Sequence, residues 1–160
     1  MDALIRKYTP ADMEQVVALS LRAWAPVFAS MARVLGDELF DRLRGDWRTS
    51  QEHAVRAALA DPSQHVWVAE APGAIIGWVS ATTHTDSGIG EIHMIAVDPG
   101  AQNQGVGMAL TKVATEWLRE TGMQVAMIET GGDDGHAPAR RIYKKAGYTA
   151  LPAVRYFKAL

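Results

Sequence analysis

The apolar residues change from helical to strand-like spacing near Pro62, and this change constrains the fold more than any other feature. From residue 10 to residue 60 they recur at helical intervals. Beyond it come three runs, residues 65–71, 74–84 and 90–99, that are rich in β-branched and aromatic residues and bounded by turn residues. This pattern predicts three consecutive strands after a helical first third.

The remaining segments fit around these strands. Leu4 to Tyr8 is predicted as a strand, and Thr9-Pro10 begins a helix that Pro26 is expected to end or kink. The other predicted elements are helices at 27–48 (with a break near Gly36), 51–60, 105–121 and 138–145, and strands at 124–130 and in the tail after Gly147. This order predicts an α/β (α+β) fold with a mixed, mostly antiparallel twisted sheet of six to seven strands, flanked by helices.

Composition bounds the class of protein. With 160 residues and no linker-like stretch, the chain is expected to form a single domain, residues 1–160. The formal charge of −2 argues against a nucleic-acid partner, and the absence of cysteine excludes disulfides, thiolate zinc sites and a cysteine nucleophile. The N-terminus does not resemble a signal peptide, and no apolar run looks long enough to cross a membrane. We therefore expect a cytoplasmic protein without a membrane partner.

A glycine-rich stretch, VDPGAQNQGVGMAL (97–110), joins the last of the three strands to a predicted helix. A Walker loop needs Lys-Ser/Thr where Val106-Gly107 stands, and a dinucleotide fingerprint needs glycine at Leu110, so both are rejected. The pattern Q/R-x-x-G-x-G/A fits residues 102–107 at every position. Unpaired N–H groups and the helix dipole would hold a phosphate there, and the alternative is an ordinary glycine turn that caps a helix.

The context of this stretch resembles the GNAT superfamily of acetyl-coenzyme-A-dependent N-acetyltransferases. The strand-loop-helix at 95–110 is similar to the family's acetyl-CoA loop, and the strand QVAMIET (124–130) follows it directly. ARRIYKKAGY (139–148) looks like the family's closing A-x-x-x-Y-x-x-x-G-F/Y helix. The resemblance covers residues 65–148 well. His136 departs from it, because the family often has asparagine seven residues before the helix tyrosine.

The resemblance implies where acetyl-CoA, the expected co-substrate, would lie. Two central parallel strands, residues 90–97 and 124–130, would splay apart, and main-chain groups of the first would pair with the pantetheine arm. N–H groups of residues 103–108 would hold the pyrophosphate. The residues expected to bind the coenzyme are Ile95, Ala96, Val97, Gln102, Asn103, Gln104, Gly105, Val106, Gly107, Met108, His136, Arg140 and Tyr143. Arg141, Lys144 and Lys145 are further candidates for its phosphates, although at least two of the four basic residues are expected to be simply solvated. No metal is expected, since Asp133-Asp134 has too few partners in sequence.

Acetyl transfer to an amine needs a proton acceptor, because an amine with a pKa near the lysine value of about 10.4 is mostly protonated at pH 7. Glu91 matches the position at which some relatives have a glutamate base. Strict alternation would place Glu91, His93, Ile95 and Val97 on one face of the strand. Glu91 and His93 are therefore the candidate bases, and the alternatives are an exposed carboxylate and a packed imidazole. Tyr143 matches the family tyrosine that protonates or hydrogen-bonds the leaving thiolate, and its alternative is a core tyrosine.

The acceptor site is the least defined part of the sequence. In the family the first helices form much of the acceptor wall, so Trp24 and Phe28 are expected near the substrate, together with Glu129 and Thr130. Most of the large side chains in these helices are nevertheless expected to be core, namely Trp24, Phe28, Met31, Phe40 and Trp47.

The sequence thus predicts transfer of an acetyl group from acetyl-CoA to a primary amine in a ternary complex, with a small-molecule amine as the leading acceptor. A peptide or protein N-terminus stays open as an alternative acceptor. A non-catalytic acyl-CoA-binding regulatory domain is the rival from another class. A nucleotide phosphotransferase is disfavoured, because no lysine follows Gly105. Family members often dimerise, so a homodimer is a further expectation.

Overall fold

The computed structural model describes residues 2–160, and its five strands form one sheet in chain order. The strands are β1 (Leu4–Lys7), β2 (His65–Ala71), β3 (Ala74–His84), β4 (Ile89–Val97) and β5 (Val125–Ile128). The pairs β1–β2, β2–β3 and β3–β4 are antiparallel, and the last pair, β4–β5, is parallel. The predicted fold class is confirmed. β2 and β3 form a hairpin around the turn Pro72-Gly73, where Ala71 pairs with Ala74.

Five helices flank the sheet. They are α1 (Met13–Leu35), α2 (Asp37–Arg44), α3 (Trp47–Ala60), α4 (Val106–Glu120) and α5 (Ala137–Lys145). Gly36 separates α1 from α2 with a φ of 79°, which glycine adopts without steric penalty, so the predicted break there is confirmed.

α1 continues past Pro26, so the expectation that this proline ends the helix is wrong. The ring removes one helical donor and leaves the Arg22 carbonyl without its usual partner. Both residues are exposed, so water can reach that carbonyl. Packing holds both halves of the helix in place: Leu19 is fully buried, and the ring of Phe28 stacks on that of Trp47 with centroids 4.5 Å apart.

An apolar layer covers each face of the sheet. The layer under α1 and α3 contains Val16, Leu19, Val55, Val68, Trp78 and Ala96. The layer under α4 contains Val79, Ala81, Ile92, Val106, Leu110 and Leu118. The two layers explain why β2, β3 and β4 read as apolar on both faces, and they hold β4 and the start of α4 in fixed positions beside each other.

The sheet has five strands instead of the expected six to seven, because residues 146–160 form no regular secondary structure. The strands predicted in the tail are therefore absent. As a consequence the parallel pair lies at one edge of the sheet and not at its centre, with β5 as the edge strand.

Within the described residues, the segment Pro10–Leu35 is long and apolar enough, by length and composition alone, to cross a membrane. The expectation that no run is that long is therefore wrong. The observation is weak evidence for a membrane span, because a core helix passes the same test and α1 packs Val16 and Leu19 into the core.

Candidate functional site

The parallel strands β4 and β5 pair only over their first four residues. Their last matched residues are Ile92 and Ile128, where β5 ends. β4 continues to Val97 and has no strand neighbour on that side, although it stays paired with β3 on the other. The gap beside residues 93–97 is the cleft that the sequence predicts between splayed strands.

Asp98 shapes the β4–α4 loop (residues 98–105) that leaves this cleft. One carboxylate oxygen accepts from the Gly100 N–H at 3.0 Å, and the other accepts from the Arg22 guanidinium on α1, with Nε at 3.0 Å. Burial raises the pKa of Asp98, but these two hydrogen bonds outweigh it and leave the pKa below its usual value. Sequence reasoning missed Asp98 and Arg22, although Asp-Pro-Gly is a recognisable turn signal for the former.

The same loop presents a row of free backbone amides. Within residues 2–160, no acceptor is found for the N–H groups of residues 103–108, and α4 has no acidic residue in its first turn. The left-handed conformations of Asn103 (φ 61°) and Gly105 (φ 85°) turn the chain to produce this row. Amides and helix dipole together form a site that favours an anion.

The predicted ligand residues of this loop differ in how they can contribute. Val106 is 3% exposed, so only its backbone can face a ligand. Two glutamines hold the loop itself: Gln102 Nε2 donates to the Val97 carbonyl at 3.1 Å, and Gln104 Nε2 to the Gly100 carbonyl at 3.3 Å. The geometry therefore supports backbone recognition in this loop more than side-chain recognition.

Gly107 has a packing reason to be glycine. A Cβ at this position would lie 2.9 Å from Ile142 Cδ1 on α5 and 3.7 Å from Val97 Cγ2. At Gly105, in contrast, a Cβ would meet nothing within 4 Å. Gly105 is therefore the glycine that keeps the loop surface open, whereas Gly107 lets α4 approach α5.

The face of β4 that carries Glu91 differs from the expected one. Ala81 pairs with Ile92 and Ser80 with Met94, so His93 is an extra residue in a β-bulge. The bulge breaks the alternation, because Glu91 then lies on the α1 side of the sheet, with Met94, while Ile95 and Val97 pack in the α4 layer. The prediction that Glu91, His93, Ile95 and Val97 share one face is therefore wrong.

Glu91 nevertheless lies one residue before the point where β4 and β5 separate. Its Oε2 is 3.1 Å from His84 Nε2, across the β3–β4 pair, and the Glu91 side chain is 27% exposed. Sequence reasoning missed His84, which hairpin register would have placed diagonally opposite Glu91.

His93, the second candidate base, is exposed on the same side of the sheet. The pKa of Asp61, at the end of α3, is lowered mainly by hydrogen bonds from Ser63, and the nearby His93 side chain makes a smaller electrostatic contribution. His93 therefore faces α3, so of the two candidates only Glu91 has a titratable hydrogen-bond partner on a neighbouring strand.

Tyr143 lies on α5 with a half-buried side chain. Burial raises its pKa to about 12, and Tyr148, whose ring centroid is 6.4 Å away, adds to this. Its hydroxyl has no hydrogen-bond partner within residues 2–160, whereas the Tyr148 hydroxyl is 2.6 Å from Thr115 Oγ1. Tyr143 is therefore a neutral donor whose hydrogen bond is still available.

The β5–α5 loop (residues 129–136) is closed by its own side chains. Asp133 accepts from Ser30 Oγ on α1 at 2.6 Å, from the Gly135 N–H at 3.1 Å and from His136 Nδ1. Arg140 Nη1 donates to the carbonyls of Gly131 (2.6 Å) and Asp133 (2.7 Å). His136 and Arg140, both predicted to touch the coenzyme, are thus engaged in holding this loop on α1.

The predicted acceptor residues do not form one cluster. Trp24 packs against the α1–α3 core layer, and Phe28 is 8% exposed and stacked on Trp47. Glu129 and Thr130 are exposed just beyond the end of β5, which is shorter than predicted. No group of three or more His, Asp or Glu residues among residues 2–160 is arranged to hold a metal ion.

The site thus defines a class of protein: an α/β domain in which two parallel strands separate beside a helix start that presents free backbone amides. The model of the acetyltransferase (GNAT) family matches residues 32–148, and the chain belongs to that family. A mycothiol acetyltransferase from Pseudarthrobacter chlorophenolicus is 28% identical over 152 residues, covering 91% of this chain and 42% of that protein. The chain spans less than half the length of the first curated relatives it matches.

Two solved structures share the fold. Aminoglycoside N-acetyltransferase AAC(6')-Iy in complex with CoA has a TM-score of 0.68 at 14% identity, covering 99% of this chain and 95% of that chain. The ribosomal-protein-S18-alanine N-acetyltransferase from Escherichia coli has a TM-score of 0.67 at 16% identity, covering 94% and 80%. At these identities the likeness shows the fold alone.

Proposed function

We propose that this protein transfers the acetyl group of acetyl-CoA to a primary amine of a small molecule, in the cytoplasm. The observation that carries the proposal is the row of unpaired amides at residues 103–108, beside the cleft where β4 and β5 separate. The names of two similar proteins, a mycothiol acetyltransferase and an aminoglycoside N-acetyltransferase in complex with CoA, support a small-molecule acceptor.

The donor would be anchored at two places. The amides of residues 103–108 would hold the pyrophosphate, and the unpaired edge of β4 would hydrogen-bond the pantetheine arm as a neighbouring strand would. The backbone groups on this edge are those of Ile95 and Val97, because the alternation of the antiparallel ladder turns those of Ala96 toward Trp78 on β3. Asn103 belongs to the same loop and Met108 to the first turn of α4, so their side chains would contact the coenzyme as well. This arrangement directs the thioester toward the point where β4 and β5 separate, next to Glu91.

The acceptor amine, mostly protonated at pH 7, loses two protons in the reaction, one before the attack and one after it. The lone pair of the neutral amine attacks the thioester carbonyl carbon, the new C–N bond forms, and the C–S bond breaks to release coenzyme A thiolate. The Glu91 carboxylate accepts these protons in turn, directly or through water, and passes them to solvent. His84 would act as a positioning residue, because its hydrogen bond at 3.1 Å fixes the Glu91 carboxylate.

Tyr143 would stabilise the leaving thiolate by donating a hydrogen bond. Its pKa of about 12 lies roughly 3.5 units above the value of about 8.5 for an ordinary thiol, so full transfer of its proton to sulfur is unfavourable. Of the two roles that the sequence left open, the pKa therefore favours hydrogen bonding over protonation.

A thiol-release assay over a panel of small amines tests the proposal, and the cysteine-free chain adds no thiol of its own. Glu91→Gln is expected to lower kcat about 100-fold without changing the CoA dissociation constant, since the carboxylate acts on the acceptor's proton. Glu120→Gln, at an exposed glutamate at the end of α4, is the matched control and should retain activity.

Two results would point elsewhere. Tight acetyl-CoA binding with no amine-dependent thiol release would favour a non-catalytic acyl-CoA-binding domain. Thiol release that responds to peptides with a free N-terminus, and to none of the small amines, would favour a peptide or protein acceptor, the activity named for the structural neighbour from Escherichia coli.

A further inference from the structure

Helix α1 lies across the sheet and contacts the loops on both sides of the cleft between β4 and β5. Ser20 Oγ accepts from Trp78 Nε1 on β3 at 2.8 Å. Two residues later Arg22 binds Asp98, directly after β4, and further along the helix Ser30 binds the β5–α5 loop. The helix therefore crosses β3, then β4, then the gap where the parallel strands separate, and reaches the far wall of the cleft.

Arg22 fixes the wall on the β4 side. Its guanidinium donates to one oxygen of the Asp98 carboxylate, with Nε at 3.0 Å, while the other oxygen accepts from the Gly100 N–H. The Asp98 N–H in turn donates to the Ile76 carbonyl on β3 at 2.8 Å. Arg22 thus joins α1 to the loop that carries the free amides of residues 103–108.

Ser30 fixes the opposite wall and is 2% exposed. Its hydroxyl donates to Asp133 Oδ2 at 2.6 Å and accepts from the Gly135 N–H at 2.9 Å. Glycine permits this approach, because a Cβ at residue 135 would lie 2.7 Å from Ser30 Cβ. The donor and the acceptor capacity of this buried hydroxyl are therefore both used on the β5–α5 loop and not on the backbone of the helix itself.

The spacing of these two anchors matches the width of the cleft. Arg22 and Ser30 are eight residues apart on α1, which is about 12 Å along a helix axis. Paired strands lie about 4.8 Å apart, so two strands with one extended chain between them are separated by roughly 10 Å. Anchors one helical turn apart, about 5 Å, would suit strands that stay paired. The helix therefore separates the two walls by about the width of one additional extended chain.

We propose that Arg22 and Ser30 are positioning residues that keep the cleft open by the width of one pantetheine arm before the coenzyme binds. This inference rests on the proposed function, since acetyl-CoA is the ligand that it invokes. A cleft that is already open lowers the entropy lost when the coenzyme orders the two loops. α1 provides this connection, because the β4–α4 and β5–α5 loops make no hydrogen bond to each other within residues 2–160.

Calorimetry with two probes tests the role of Ser30. Coenzyme A carries the pantetheine arm, whereas phosphoadenosine diphosphate is the nucleotide part of coenzyme A without it. Ser30→Ala is expected to weaken CoA binding about tenfold and to leave the nucleotide affinity within about twofold, because Ser30 contacts only the β5–α5 loop. Ser20→Ala, at a second buried serine of α1 that contacts neither loop, is the matched control and should bind both probes as the wild type does.

Steady-state kinetics test the role of Arg22. Arg22→Met is expected to raise the KM for acetyl-CoA about tenfold and to leave kcat within about threefold, because the anchor prepares the donor site and takes no part in the chemistry. Arg22→Lys keeps a charge beside Asp98 and should recover part of the loss. Arg33→Met, at an exposed arginine on the same helix, is the control and should leave both constants unchanged.

A double variant tests whether the two anchors act as one bridge. Independent contributions from sites about 12 Å apart are additive in free energy, so two tenfold losses of CoA affinity would multiply to about 100-fold. A bridge is lost when either end is released. The variant with both Arg22→Met and Ser30→Ala should therefore bind CoA within about threefold of the weaker single variant, whereas the two changes in the free energy of unfolding should add.

Three results would overturn the inference while the wild type binds CoA. The first is CoA affinity within about twofold of wild type in both folded single variants. The second is an equal loss of affinity for CoA and for phosphoadenosine diphosphate in Ser30→Ala. The third is a double variant whose loss is the product of the single losses. A wild type that binds no CoA would contradict the proposed function itself, and this inference with it.

Discussion

Two loops start at the carboxyl ends of the parallel strands β4 and β5 and differ in whether their backbone amides are hydrogen-bonded. The β4–α4 loop and the β5–α5 loop each follow a parallel strand, each begin a helix, and each contain an aspartate that caps a short turn. In the first, the amides of residues 103–108 have no acceptor within the described chain. In the second, Asp133 and Arg140 satisfy the donors and acceptors of the loop itself.

The two loops differ in whether side chains occupy the space next to their glycines. In the β5–α5 loop a Cβ at Gly131 would lie 2.5 Å from Asp133 Oδ1 and from His136 Nδ1, so the loop interior is full. In the β4–α4 loop the space at Gly105 is open. Glycine content alone therefore does not distinguish a binding loop from a structural one. The presence of an acceptor inside the loop does.

Removing the Asp133 carboxylate, the hydrogen-bond acceptor inside the β5–α5 loop, should have the largest effect on stability. Asp133→Ala leaves Ser30, the Gly135 amide and His136 without their partner, and the expected loss is roughly 3 kcal/mol in the free energy of unfolding. Urea unfolding measures it. Asp134→Ala, at the exposed neighbour without a side-chain hydrogen bond, should change stability by less than about 0.5 kcal/mol.

The same variant has a pH signature. Burial raises the pKa of Asp133, but Ser30 and His136 outweigh it and lower the pKa below its usual value. The stabilisation is therefore present above the unfolded pKa of about 3.9 and is lost as pH falls through the folded value. The stability gap between wild type and Asp133→Ala should shrink below pH 4. A gap that is constant with pH would mean that the carboxylate charge is not involved.

Gly107→Val is expected to have the next largest effect, about 2 kcal/mol of stability, because the new side chain meets Ile142 on α5. The double variant with Ile142→Ala should recover part of this loss, which chemical denaturation can measure. A stable Gly107→Val protein with weak CoA binding would instead assign this glycine to the ligand, as the sequence pattern suggests.

The sequence predicts the apolar framework better than the site. The strands at 65–97 and the helix at 106–120 follow from period and turn residues, because burial on two faces imposes them locally. The bulge at His93 depends on register with β3, which no local pattern encodes, and it moves Glu91 to the other face. Engagement of His136 and Arg140 depends on the fold of the β5–α5 loop and on Ser30, 103 residues before Asp133 in the chain.

A smaller effect on stability is expected when a carboxylate, as a hydrogen-bond acceptor, is added to the β4–α4 loop. Gln104→Glu places a carboxylate near the amides of residues 103–108 and the start of α4. The charge interacts favourably with the helix dipole, but a carboxylate cannot donate to the Gly100 carbonyl as the Gln104 amide does, so stability should stay within about 0.5 kcal/mol of wild type. Repulsion of the coenzyme phosphates should weaken CoA affinity about tenfold, measured by calorimetry.

Gln104→Met is the neutral control for this variant and should keep CoA affinity within about twofold, because the Gln104 amide bonds only the Gly100 carbonyl at 3.3 Å. Equal affinity of Gln104→Glu and wild type would mean that the pyrophosphate does not bind at these amides. The two loops would then differ in structure without differing in function.

The smallest effect concerns Asn103, the one non-glycine residue with positive φ within residues 2–160. Asn103→Ala should cost about 1 kcal/mol, because alanine resists the left-handed conformation. Asn103→Gly should stay within about 0.5 kcal/mol of wild type, since relief of that strain is offset by the greater entropy of the unfolded chain. If the amide row is preformed, CoA affinity should fall slightly with glycine, because a looser loop must be ordered on binding. Loss of affinity in both variants without loss of stability in Asn103→Ala would place the contribution in the asparagine side chain, and the recognition of phosphate by backbone alone would not hold.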